Sequence, residues 1–154
     1  MIADLPGVLA IAIAAAGAID DVRRRKLTNR VCAALAIAAA TSLGLQLGLP
    51  ELGWAVLHSI LALLIGMALF GFGMIGAGDA KFYAAAALGT PLGNWAVLLG
   101  WTSVAGLLVL AVMFCKYRLA EGKSRLPTVP FGLAIFAGFT ASVLVRHGDA
   151  GFVM

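Results

Sequence analysis

Charged side chains are scarce in this sequence. Of its 154 residues only 12% are charged, whereas 62% are hydrophobic, and the mean hydropathy is +1.03. A water-soluble globular domain is excluded, because it would need a far more polar surface. Ten-residue segments of alternating polarity are also missing, which excludes a transmembrane β-barrel. Helices therefore remain as the structure with which this chain can span a membrane.

Cysteine and histidine are equally sparse. Cys32 and Cys115 form no Cys-x-x-Cys pair, so the sequence offers neither a disulfide framework nor a four-ligand zinc site. His58 and His147 fall at different depths of the predicted bundle, which excludes a Ser–His or Cys–His pair, and we expect His58 to be a neutral, hydrogen-bonded histidine. We expect no metal and no cofactor. The net charge of +4 does not indicate a nucleic-acid partner, because no soluble domain is available to carry a basic face.

Apolar runs predict the fold class directly. The predicted class is all-α, and the protein is expected to be a polytopic membrane protein. Residues 1–154 would form a single domain, a six-transmembrane-helix bundle. The fourth run would extend only about 16 Å, which is too short to cross a bilayer alone. The predicted helices cover residues 5–20, 31–49, 52–72, 80–90, 95–115 and 128–145.

The cations cluster in two loops, and their positions predict the topology. Both loops belong in the cytoplasm by the positive-inside rule. They follow the first and fifth helices, so an even number of crossings separates them and the short fourth run must also cross. Both termini are then outside the cytoplasm. The first loop contains Arg23, Arg24, Arg25, Lys26 and Arg30, and the second contains Lys116, Arg118, Lys123 and Arg125.

Three of the seven acidic residues are not explained by exposure at a terminus or in a loop. Asp20 and Asp21 end the first predicted helix, and Asp79 begins the fourth, so the topology gives them the same cytoplasmic depth. Each has a structural explanation on its own, because Asp79 would suit a helix N-cap and Asp20-Asp21 a polar helix end. Together they form a candidate site, since ionisable groups at a membrane margin are costly.

Two glycines precede Asp79 and suggest what the site requires. Gly76 and Gly78 permit positive φ and a close backbone approach, so we expect a loop that lines a cavity at membrane depth. Two aspartates facing such a cavity share a proton, because like charges in contact cannot both ionise. One carboxyl then acts as a base on water and the other as an acid, which is aspartic-protease chemistry.

The same residues resemble motifs of the type IV prepilin peptidases, which are intramembrane aspartic proteases of the GxGD type. The segment Asp21–Asn29 is similar to the family's Asp-x-R-x-R-x-I/L-P-N element, with Thr28 in place of the usual proline. The segment Gly76–Lys81 is similar to GxGDxK, and Pro127–Gly132 is similar to a Pro-rich element that opens the last helix. Asp20 is an additional carboxylate, which points about 100° away from Asp21 on an ideal helix.

The resemblance implies that Asp21 and Asp79 are catalytic and that the enzyme removes the leader of a prepilin or pseudopilin. Cleavage would occur at the cytoplasmic face of the bacterial inner membrane, in contact with lipid, for assembly of a pilus or secretion system. The chain lacks the zinc and methyltransferase domain of larger members, so peptidase activity alone is expected, as in Flp/Tad-type systems. The residues expected to bind substrate or shape the loop are Gly76, Gly78, Lys81, Asn29 and Pro130.

A function of another class remains open from the sequence. A small membrane transporter or assembly subunit could use the same aspartates to bind a cation or relay protons. Against this alternative, the carboxylates lie near one face and no pseudo-symmetric half is visible in the chain.

Overall fold

A computed structural model describes residues 5–119 and 130–151, and in these two ranges every regular element is helical. The helices confirm the predicted all-α class and the predicted number of six. A short 3₁₀ turn at Leu92–Asn94 precedes the fifth helix. The helices are α1 Leu5–Arg24, α2 Asn29–Leu47, α3 Leu49–Gly71, α4 Ala77–Ala87, α5 Trp95–Leu119 and α6 Phe131–Gly151.

Four helical segments are long and apolar enough to cross a membrane. Large apolar side chains cover their outward faces, as at Leu64 and Leu107, which are 63% and 67% exposed. So many exposed leucines would be unfavourable in water, whereas contact with lipid tails carries no such cost. The fold is therefore a helical membrane bundle. The four segments are Leu5–Arg24, Asn29–Leu47, Leu49–Gly71 and Leu92–Cys115.

The short helix α4 lies at the centre of the bundle, in contact with α2, α3 and α6. Phe82 and the four alanines Ala84–Ala87 are all buried. Small side chains let the neighbouring helices approach closely, and a Cβ at Gly66 of α3 would lie 2.8 Å from the Cβ of Ala80. Because protein surrounds α4, its brevity exposes little backbone to lipid.

Four predicted helix boundaries are wrong at the candidate site. Helix α2 begins at Asn29 instead of residue 31, and α6 begins at Phe131 instead of residue 128. Helix α1 continues to Arg24, so Asp21 lies inside its last turn, and α4 begins at Ala77 instead of residue 80. The predicted loop at Gly76–Gly78 is also wrong. Gly76 is the residue before α4, with φ −77, and Gly78 is helical. A carboxylate at the third position favours helix formation there, so Asp79 compensates for the low helix propensity of Gly78.

The opposite end of α4 is held by buried polar groups. Arg146 of α6 donates from Nη1 to the carbonyl of Gly89 at 2.9 Å and from Nη2 to Ser42 Oγ at 3.1 Å. His58 is buried as expected, and its Nδ1 donates to the carbonyl of Thr90 at 3.2 Å. These bonds satisfy carbonyls just beyond the C-terminus of α4 and connect it to α2, α3 and α6.

Phe82→Ala is expected to destabilise the bundle by about 3 kcal/mol, because it leaves a cavity against α1 in a packed core. Phe82 is fully buried, whereas Phe70 on α3 is 45% exposed, so Phe70→Ala is the matched control. Thermal unfolding of the purified protein in detergent should show a lower midpoint for Phe82→Ala and little change for Phe70→Ala. Equal shifts would contradict the central position of α4.

Candidate active site

Three helix ends meet at one end of the bundle and enclose a cavity of about 690 Å³. The last turn of α1 contributes Asp21, the start of α4 contributes Asp79, and the start of α6 contributes Phe131. Gly76, Gly78 and Pro130 also line this cavity. Five of the seven residues expected at the site are therefore brought together, including both aspartates, which are far apart in the sequence.

Asp21 is held by the N-terminus of α6. Its side chain is buried, and its Oδ2 accepts a hydrogen bond of 2.8 Å from the backbone N–H of Gly132. Gly132 is the second residue of α6, so this N–H has no acceptor within its own helix. A Cβ at Gly132 would lie 2.8 Å from Asp21 Oδ2 and 2.9 Å from Asp21 Cβ. Only glycine admits the carboxylate at this distance.

Asp79 lies half-buried at the third position of α4, and the backbone of Gly76 hydrogen bonds to its carboxylate. This is the geometry in which a side chain at the third helical position reaches back to the capping residue. A Cβ at Gly76 would lie 2.9 Å from Asp79 Oδ2, and one at Gly78 would lie 3.2 Å from the Cβ of Leu27. The two glycines thus permit close approach, as predicted, but without positive φ.

Asp20 is excluded from the cavity by its orientation. Its side chain is 40% exposed, and its Oδ1 lies 3.7 Å from Nε of Arg24, one turn further along α1. The neighbouring Asp21 points inward and is only 7% exposed. The predicted divergence of the two side chains is confirmed, and Asp20 belongs to a surface ion pair.

Lys81 and Asn29 lie beside the cavity and do not line it. Lys81 Nζ donates to Asn29 Oδ1 at 3.1 Å, which joins α4 to the start of α2. Thr28 precedes α2 as its N-cap and accepts a hydrogen bond from the Val31 N–H at 3.4 Å. These contacts hold the α1–α2 connection near α4, where Leu27 meets Gly78.

Two basic residues that the sequence explains by topology also line the cavity, namely Arg25 and Lys26. Arg25 directly follows α1 and has φ 52, a left-handed conformation that is usually taken by glycine. Its N–H donates to the Asp21 carbonyl at 2.9 Å. This turn directs the chain back over the cavity. Gly132 is a further site residue that was not predicted from the sequence. Its position in the Pro127–Gly132 element could have identified it.

The arrangement can perform acid–base chemistry on water. Within residues 5–119 and 130–151, no three His, Cys, Asp or Glu side chains come together as a metal site would require. Two carboxyl groups that line one cavity, each bonded to backbone at a helix end, are the groups suited to activate a nucleophile.

Comparison with known proteins supports an assignment to a family. The chain matches the type IV leader peptidase family over residues 8–114. This range includes Asp21, Asp79 and helices α2 to α4, and it ends before α6. No curated protein and no solved structure matches the chain. Because the family match covers most of the sequence, the chain belongs to the type IV leader peptidase family and is an integral membrane peptidase of that kind.

Proposed function

We propose that this protein is an intramembrane aspartic endopeptidase that removes the leader peptide of type IV prepilin-like proteins, for assembly of a pilus or secretion system. The observation that carries the proposal is the common cavity lined by Asp21 and Asp79. A general acid and a general base within one wet cavity are what peptide hydrolysis without a covalent intermediate requires. No cofactor takes part in this scheme.

The proposed reaction uses one ionised and one protonated aspartic acid. The ionised carboxylate takes a proton from water as the water oxygen bonds to the scissile carbonyl carbon, and the protonated carboxyl gives its proton to the carbonyl oxygen. When the intermediate collapses, the first carboxyl protonates the leaving nitrogen and the C–N bond breaks. The second carboxylate recovers its proton from the hydroxyl group, which restores the starting pair.

A cytoplasmic position of the cavity is part of the proposal. Exposed cations surround this end of the bundle, and by the positive-inside rule they favour the cytoplasmic side of a bacterial inner membrane. Both termini would then lie on the other side. The surrounding cations are Arg23, Arg24, Arg25, Lys26, Arg30 and Lys81.

Transport of a cation or proton has less support. In the described part of the chain, Asp79 lines two cavities, the one that it shares with Asp21 and a more apolar one between α3 and α5. A relay across the membrane would need further ionisable groups along that second path. The ionisable side chains that line this second cavity besides Asp79 are His58 and Tyr83, and His58 is already bonded to the Thr90 carbonyl.

Asp21→Asn and Asp79→Asn should each reduce leader removal by at least about 10²-fold, because an amide cannot exchange the proton that the reaction needs. Asp20→Asn is the matched control and should retain substantial activity, since Asp20 faces away from the cavity. The assay is coexpression with a prepilin, with leader loss followed by mass shift and equal membrane insertion verified for each variant. Full cleavage by either of the first two variants would refute the aspartate pair.

Gly132→Ala should lower kcat by about 10²-fold with a smaller effect on KM, because the added Cβ would displace the Asp21 carboxylate. Gly100→Ala on α5 is the control, since a Cβ there meets nothing within 4 Å. Initial rates over a range of prepilin concentrations separate kcat from KM. A Gly132→Ala enzyme with the kcat of the wild type would show that the contact with α6 does not position Asp21.

A further inference from the structure

The turn that follows α1 contains a backbone conformation that its side chain disfavours. Arg25 has φ 52, and among the non-glycine residues that the structure describes it is the one with positive φ. Its N–H bond to the Asp21 carbonyl closes the left-handed turn with which many helices end. Glycine usually occupies this position, because a Cβ in the left-handed region approaches the following carbonyl oxygen. The sequence therefore keeps an arginine where glycine would stabilise the turn.

Two ordinary explanations for a cation after a helix do not require one at this position. A cation near a helix C-terminus interacts favourably with the helix dipole, but Arg23 and Arg24 already supply that charge in the last turn of α1. The positive-inside rule counts the cations of a whole loop, so Lys26 and Arg30 serve it equally well. Neither explanation accounts for a side chain that destabilises its own backbone.

The position of Arg25 suggests another reason for keeping the arginine. Arg25 is exposed, and it lines the cavity that Asp21 and Asp79 also line. Because its turn is closed on the Asp21 carbonyl, the backbone of Arg25 lies one helical turn from that of the catalytic aspartate. The residue with the unfavourable backbone conformation is therefore also a residue of the candidate active site, where such strain is commonly found.

This cavity offers a bound peptide few hydrogen-bond donors. Among the described residues that line it, the side chains with N–H donors are those of Arg25 and Lys26. A peptide bond that water can attack must be unwound, so the carbonyls beside it have no helical partners, and an unpaired carbonyl in such a site is costly. A guanidinium group is suited to these acceptors, because it is always charged and presents five donors in one plane.

We propose that Arg25 is a substrate-binding residue, whose guanidinium group donates hydrogen bonds to backbone carbonyl oxygens beside the scissile bond. The chain keeps an unfavourable conformation at this residue because the turn brings the guanidinium group to the cavity. The proposal rests on the proposed leader peptidase function and adds a substrate-binding residue to the two catalytic aspartates.

Arg25→Gly should change stability and activity in opposite directions. Glycine relieves the left-handed turn, so the thermal unfolding midpoint of the purified protein should rise by about 2 °C or more. The loss of charged hydrogen bonds should lower kcat/KM for a prepilin by about 10- to 100-fold. Arg24→Gly is the matched control, because it removes an equal charge from the same end of α1 at a residue that does not line the cavity. Its midpoint should fall, because glycine disfavours a helix, and its kcat/KM should equal that of the wild type.

Two further variants identify the chemical group that is responsible. Asparagine tolerates the left-handed conformation but carries no cation, so Arg25→Asn should have the same low kcat/KM as Arg25→Gly. Lysine keeps the charge without the planar donor group, so Arg25→Lys should have an intermediate value. Wild-type kcat/KM in Arg25→Asn would assign the loss in Arg25→Gly to the backbone of the turn and would overturn the proposal.

A change in the substrate backbone tests the contact directly. In synthetic prepilin peptides, one carbonyl oxygen next to the scissile peptide bond, on either side of it, is replaced by sulfur, which is a weaker hydrogen-bond acceptor. At one position this replacement should lower kcat/KM of the wild type and of Arg24→Gly by about threefold or more and leave that of Arg25→Gly unchanged. Additive losses at every position would refute the hydrogen bond to Arg25.

The same measurements distinguish failure of this proposal from failure of the proposed function. A wild-type enzyme that does not cleave prepilin refutes the leader peptidase function. Cleavage by the wild type with unchanged kcat/KM in Arg25→Gly refutes the role of Arg25 alone. A lower unfolding midpoint in Arg25→Gly, or an equal fall of kcat/KM in Arg24→Gly, would also overturn that role, because the side chain would then stabilise the fold or act through net charge.

Discussion

The burial of α4 is the constraint on which the rest of this structure depends. An 11-residue helix cannot span a bilayer alone, so its ends must be satisfied by protein. At its N-terminus the Asp79 carboxylate bonds to backbone, and just beyond its C-terminus Arg146 donates to the Gly89 carbonyl at 2.9 Å. An anion and a cation thus lie at the ends where the helix dipole favours each. The same requirement that stabilises α4 also keeps the Asp79 carboxyl group at the start of a helix that neighbouring helices surround.

Close contacts between helices determine where the two carboxylates can lie. Gly132 of α6 admits Asp21 to within hydrogen-bond distance of its backbone, and Gly66 of α3 allows α4 to pack against it. Van der Waals packing is the main force between helices in lipid, because the surrounding hydrocarbon is as apolar as the core. A single methyl group added at Gly132 or Gly66 would therefore displace Asp21 or α4 directly, because the glycine backbone is in contact with them.

The fold and the group of aspartates at one end of the bundle could be predicted because they depend on composition. Charge is so scarce that Asp20, Asp21 and Asp79 are the acidic residues without another explanation, and the apolar runs predict the six helices. The choice of Asp21 over Asp20 came from the resemblance to the leader peptidases. Local geometry was harder to predict. Helix α4 begins at Ala77 because Asp79 offsets the low helix propensity of Gly78, and Lys81 bonds to Asn29 outside the cavity. Such outcomes depend on which neighbour lies within about 3 Å, and spacing along one chain does not contain that information.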